Sequence, residues 1–170
     1  LSYLKRIDIG TREIVVYENK DYRPHIYLTE KKETIYKNIP YIKTDYKYVN
    51  PTQYKINLIN INNPIYINFS ESYHPYWKIR VGDFNWFKVL TDKNYFLPDK
   101  YHFENDAKLN SFLIDPKAVC QNRLNCNISL TLYFKPQSYV YLGGIISLIT
   151  LITLIGSLIV VSIKEFKARS

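Results

Sequence analysis

The sequence predicts a mainly β chain: an antiparallel sandwich or jelly-roll-like extracytoplasmic domain followed by one C-terminal transmembrane helix. Three observations carry that expectation. Apolar residues alternate with polar ones along several short runs, which puts one set of side chains on a single face of a strand. Pro, Asn, Asp and Gly punctuate the intervals, and helical periods are few. Residues 136–163 contain no charge, and that stretch closes on Lys164-Glu165-Phe166-Lys167-Ala168-Arg169-Ser170.

Taken in order, residues 13–17 and 25–29 are short strand candidates. Between residues 30 and 50, Lys31-Lys32-Glu33 and Lys37-Asn38-Ile39-Pro40 fit either a short helix or a loop. Tyr54, Ile56 and Leu58 then alternate with Gln53, Lys55 and Asn57, and Ile65, Ile67 and Phe69 with Tyr66, Asn68 and Ser70. The break Asn60-Ile61-Asn62-Asn63-Pro64 between them reads as a hairpin connection. Residues 77–81, 86–90 and 109–114 are further short candidates. Ile128, Leu130, Leu132 and Phe134 alternate with Asn127, Ser129, Thr131 and Tyr133 in the last strand. Residues 1–138 suffice for one sizeable core, and they show no internal repeat or low-complexity linker.

The uncharged stretch 139–163 has about 25 residues, which at about 1.5 Å each reach about 37 Å. That exceeds the ~30 Å hydrocarbon core, so the segment can span with some tilt. A buried helix of a soluble domain is the competing reading. Tyr139 and Tyr141 stand where an aromatic belt lies, and Lys164, Lys167 and Arg169 mark the cytoplasmic side. The chain therefore divides into an extracytoplasmic β-domain (1–138), a transmembrane helix (139–163) and a cytoplasmic basic tail (164–170), located at the cell membrane. It begins at Leu1 without a charged n-region and apolar h-region, so earlier membrane helices of a multi-pass parent are expected to deliver it. Gly143, Gly144, Ser147 and Gly156 suit close packing on other membrane helices of the same protein.

Charge narrows the partners. The tail holds 3 of the 23 Lys and Arg and 1 of the 15 Asp and Glu, which leaves 20 against 14 in the remainder. That surplus suits attraction to the lipid bilayer, to wall polymers or to phosphorylated lipid carriers, and equally an ordinary solvated basic surface. No nucleic-acid partner is expected, because there is no basic helix, RNP-like strand or zinc-finger spacing.

Cys120 and Cys126 enclose a small polar loop, and on an exported domain a disulfide is the default, against free thiols or a metal site. His25, His74 and His102 are scattered with no C-x-x-C partner, so no metal or cofactor is expected. In a eukaryotic secretory pathway Asn68-Phe69-Ser70 and Asn127-Ile128-Ser129 would be glycosylation acceptors.

The candidate functional segment is Phe69-Ser70-Glu71-Ser72-Tyr73-His74-Pro75-Tyr76-Trp77-Lys78. Aromatic rings beside Glu71, Ser72, Tyr73 and His74 are what a sugar-binding surface uses: a flat ring such as Trp77 stacks on pyranose C–H faces while polar groups fix hydroxyls. The structural alternative makes Trp77 a core plug, with Ser72 and His74 satisfying turn backbone. A Ser72–His74 nucleophile lacks an oxyanion-hole glycine motif. Glu71 with Asp83 or Asp106 does not identify a glycosidase pair. No catalytic residue is assigned.

The same segment carries a family resemblance. Asn50-Pro51-Thr52-Gln53-Tyr54 and Ser70-Glu71-Ser72-Tyr73-His74-Pro75-Tyr76-Trp77-Lys78 resemble phrases "N-P-T-x-Y" and "S-E-S-Y-H-P-G-W-K". These belong to the C-terminal extracytoplasmic region of large polytopic bacterial membrane proteins, the GT-C-type glycosyltransferases and their YfhO-like and arabinofuranosyltransferase-like relatives. Tyr17-Glu18-Asn19 through Pro24 is similar to that region's opening phrase, and the apolar end to its final helix. His102 through Ile114 stands in place of a later "N-G-Y-A-N-x-W-x-I" and adds Asn110 to the candidate ligand-binding set. Tyr76 replaces the usual glycine before Trp77, and residues 108–112 lack that later phrase's glycine and tryptophan.

The resemblance implies an accessory, glycan-facing domain and last membrane helix of an envelope glycosyltransferase-like protein. Its donor would be a polyprenyl-phosphate-linked sugar, with catalysis in membrane helices and outer loops outside these residues. Two other classes stand beside it: a structural or interaction domain of a polytopic lipid or polymer exporter, and a single-pass anchored receptor-like β-domain.

Overall fold

The computed structural model describes residues 4–10, 13–19, 22–34, 39–120 and 126–169. In chain order the strands are Leu4–Ile7 (β1), Val16–Asn19 (β2), Ile26–Thr29 (β3), Ile42–Lys43 (β4), Tyr46–Asn50 (β5), Gln53–Ile61 (β6), Ile65–Ser72 (β7) and Trp77–Val81 (β8). A short helix Lys88–Thr91 (α1), strands His102–Glu104 (β9) and Leu109–Ile114 (β10), and a second short helix Pro116–Val119 (α2) follow. Cys126–Phe134 (β11) then leads into the long helix Gln137–Arg169 (α3).

Two antiparallel sheets face each other, as the alternating runs predict. One has the order β4-β3-β7-β10-β9 and the other β5-β6-β11-β8, while β1 and β2 form a separate ribbon. Ile26, Leu28, Ile67, Phe69, Phe112 and Ile114 of the first sheet meet Tyr54, Ile56, Leu58, Trp77, Ile79, Ile128, Leu130 and Leu132 of the second, all buried. Each such aliphatic or aromatic side chain contributes about 1.5–3 kcal/mol on burial.

The outer faces are partly covered too, which is why strict alternation fails in two strands. On β11, Tyr133 points away from the sandwich and is fully buried beneath Phe84, Val89, Tyr95 and Phe96. The Phe84 and Tyr133 ring centroids are 4.5 Å apart. On β7, Asn68 is buried on the outer face, where its amide donates to Thr29 Oγ1 at 3.0 Å and its carbonyl accepts from the Ser111 hydroxyl. Of the two glycosylation-type asparagines, then, Asn68 is sealed in the fold. Asn127 is exposed, with its carbonyl oxygen accepting from the Asn60 backbone N–H at 3.0 Å.

Two expectations for local structure are corrected. The 60–64 segment does not close a hairpin: β6 pairs with β5 and β11, whereas β7 pairs with β3 and β10, so the chain crosses between sheets there. Both strands bury an inner face, and an arch lets those faces oppose each other instead of lying side by side. Residues 86–90 enter a helical turn, not a strand. Asn85 Oδ1 accepts from the Phe87 backbone N–H at 2.9 Å, starting the turn, and Val89 is the buried member of α1. Between residues 30 and 50, Lys31, Lys32 and Glu33 lie in neither helix nor strand, while residues 42–43 and 46–50 are the strands β4 and β5. Lys37 and Asn38 lie outside the described residues.

Cys120 and Cys126 are joined by a disulfide. It ties the end of α2 to the start of β11. Asp115 begins α2 by accepting from the Lys117 backbone N–H at 3.0 Å, with Pro116 in the first turn, where its missing N–H costs nothing.

At the other end of β11 the chain passes into α3 with only Lys135 and Pro136 between. Three bonds fix the junction. Phe134 N–H donates to Thr52 O at 2.9 Å and Lys135 N–H to Tyr76 O at 2.9 Å. The buried Ser138 hydroxyl lies 2.9 Å from Tyr133 Oη. Beyond this, α3 is long and apolar enough to cross a membrane, with a mean hydropathy of 2.6 and none of its most apolar window buried. Three of its hydroxyls bond within the helix: Thr150, Thr153 and Ser157 donate to Ile146 O, Ile149 O and Leu154 O at 2.9, 2.8 and 2.8 Å. That is what a lipid environment demands, since it offers no water to a free hydroxyl.

Candidate functional site

The turn between β7 and β8 is pinned by one side chain. A register shift at Leu109–Asn110 sets Asn110 opposite Phe69, so its side chain reaches over the irregularity. The Asn110 amide donates to Glu71 O and Ser72 O, both at 2.9 Å. Its carbonyl accepts from the His74 backbone N–H and from His102 Nε2, each at 3.1 Å. All four of its bonding positions are thus used inside the protein, and Asn110 is fully buried.

His102 completes the support. Its ring lies parallel to Phe112 at 4.2 Å, and Tyr73 leans on its other surroundings at 5.1 Å. Burial pushes the His102 pKa down to about 4; the Asn110 bond acts upward, the Lys78 charge downward and the Asp99 charge upward. The imidazole is therefore neutral at ordinary pH and acts as a donor to Asn110.

Trp77 opens β8 and turns inward. It is 8% exposed and sits edge-on to Phe69 at 4.7 Å, with Phe134 at 5.2 Å and Tyr54 at 6.3 Å. The structure thus separates the six sequence-chosen residues. Asn110 and Trp77 are inside, Tyr73 is half-buried against His102, and Glu71, Ser72 and His74 are exposed. His74 Nδ1 accepts from the Tyr76 backbone N–H at 3.2 Å and its ring is 5.2 Å from the exposed Tyr76.

Glu71 instead meets a residue far from it in sequence. Its carboxylate lies 3.8 Å from His25 Nε2, which is 3.3 Å from the Tyr54 hydroxyl. Tyr46 and Tyr48 of the edge strand β5 pair with Ile56 and Tyr54 and close the cluster, with rings 6.2 and 5.5 Å from Tyr54. They are 38% and 55% exposed, so their rings are open to a ligand. Burial, then the charge of Glu71 and the neighbouring Tyr48 and Tyr46, holds the Tyr54 phenol above its ordinary value, so it keeps its proton. The result is a partly exposed aromatic cluster that gathers an imidazole, a carboxylate and a phenol. Such a surface can stack on an apolar ring face and bind hydroxyls. The signal for it in the sequence is the pair of tyrosines at alternate positions, Tyr46 and Tyr48.

No family model, curated protein or solved structure matches this chain in comparisons of all three kinds.

Proposed function

We propose that this chain is a glycan-facing accessory domain with the terminal membrane helix of a multi-pass envelope protein of the glycosyltransferase-like type. That protein uses lipid-linked sugars, and its catalytic residues lie elsewhere in it. The observation that carries the reading is the partly exposed aromatic cluster of His25, Tyr46, Tyr48 and Glu71 on a sandwich joined to α3 through only two residues. A sugar-binding surface held that close to the bilayer serves an acceptor or donor that is itself lipid-linked. The sequence phrases around Glu71–Trp77 support the same class. The sandwich faces the extracytoplasmic side and the basic end of α3 the cytoplasm.

The test uses the full chain in lipid nanodiscs and saturation-transfer NMR with soluble envelope oligosaccharides. The expected result is transfer to sugar protons, with Tyr48→Ala weakening binding by roughly three- to tenfold, the worth of one ring stack. Equal transfer from the wild-type and Tyr48→Ala chains, or none from either, would overturn the glycan-facing reading.

A further inference from the structure

Beside α3 the segment 84–86, beyond β8, forms a groove of about 760 Å³ against the helix. Gln53 and Asn85 line its polar end, Trp86 its side, and Gly144, Ile145 and Leu148 its apolar end. Trp86 stands edge-on to Tyr141 of α3 at 5.5 Å, and the adjoining Phe87 is 53% exposed with Lys88 beside it in sequence, also exposed. Nothing lies within 4 Å of the place a Cβ would take on Gly144, so the helix surface there is open.

The position of this groove along α3 decides its occupant. Counting back from Lys164 at about 1.5 Å per residue, a hydrocarbon layer of ~30 Å reaches to about Gly144. The polar end of the groove then lies at headgroup level, and Ile145 and Leu148 lie just inside the acyl region. Trp86, Phe87, Tyr139 and Tyr141 fall at the boundary where amphipathic rings are most stable. A water-soluble ligand would meet apolar wall over half the groove, and a second protein helix would leave Gln53 and Asn85 facing it.

We propose that the groove between residues 84–86 and the first turns of α3 holds a bilayer phospholipid. Its headgroup sits at Gln53 and Asn85 and its acyl chain runs along Gly144, Ile145 and Leu148. The sandwich thereby gains a second membrane contact that stops it from swinging about α3. This rests on α3 spanning the bilayer, and the two are tested apart.

The full chain is reconstituted into vesicles of phosphatidylcholine and phosphatidylglycerol carrying bromines near either the headgroup end or the methyl end of the acyl chain. Trp77→Phe leaves Trp86 as the reporter. Because Trp77 is in the core, the same signal is also read as the difference between wild type and Trp86→Phe. Trp86 is expected to emit at a blue-shifted wavelength and to lose about half its intensity to the shallow bromines, and less to the deep ones. A control, Leu151→Trp in the Trp86→Phe chain, reports on the span and is quenched most by the deep bromines. Deep quenching of that control with water-like, unquenched Trp86 would overturn the lipid groove and leave the span standing. A control that escapes all bromines would overturn both.

Discussion

His102, to which the sequence gives no role of its own, becomes structural once its neighbours are known. Stacked on Phe112 and bonded to Asn110, it has a folded pKa near 4 against an ordinary 6.5. Between those values the unfolded chain binds more protons than the folded one, so stability is full above pH 6.5 and falls as pH drops toward 4. The stability difference between wild type and His102→Gln should therefore shrink by about 1–2 kcal/mol from pH 7 to pH 4, allowing for partial exposure. Denaturant titrations of the two chains across that range measure it; a constant difference would show that His102 is not held neutral. Asn110 entered the candidate set through its place in a phrase, and its four bonds explain why an asparagine suits the position. Trp77 after Pro75 was open to two readings because a period of two says which residues share a face, not which face is covered. The paired residues His25 and Glu71 are 46 positions apart. Only the pairing of β3 with β7 brings them together, and no local pattern encodes that pairing.

Among the elements, β6, β7 and β11 were the most legible, because an apolar residue recurs at every second position on the inward face of each. The partner of each strand was not legible. A turn-rich break such as 60–64 looks the same whether the chain doubles back in one sheet or arches to the next. Residues 86–90 misled for a related reason: Val89 alone is buried, so there was no periodicity to separate a turn of helix from a strand. The disulfide was legible from context, since it closes a short polar loop before an evident strand. By chain entropy a loop with a sequence separation of 6 is worth about 2 kcal/mol. Replacing Cys120 and Cys126 together by Ser should lower unfolding free energy by about that amount and keep the β-rich circular dichroism spectrum. A loss of the folded spectrum would mean that α2 and β11 cannot dock without the bond. The helix α3 stood out most clearly, because lipid solubility is a matter of composition and length and needs no tertiary information.

At the scale of the whole molecule, the sandwich and α3 form one arrangement. Bonds from Phe134 and Lys135 to the ends of β6 and β8 set the direction in which the helix leaves. The β7–β8 turn, the 84–87 loop and the aromatic start of α3 consequently gather at one end of the sandwich. The central claim is that this end rests on the bilayer, with the sandwich on one side and the basic end of α3 on the other. It is tested most directly by placing cysteines at the exposed positions Lys47 and Lys167 in a single chain, in which the native cysteines are already paired. The chain is reconstituted in sealed vesicles and treated with a membrane-impermeant maleimide, and labels per molecule are counted by mass spectrometry. Whatever its orientation, a spanning molecule should take one label before detergent and two after. Two labels on intact vesicles would put both ends on the same side and contradict the account.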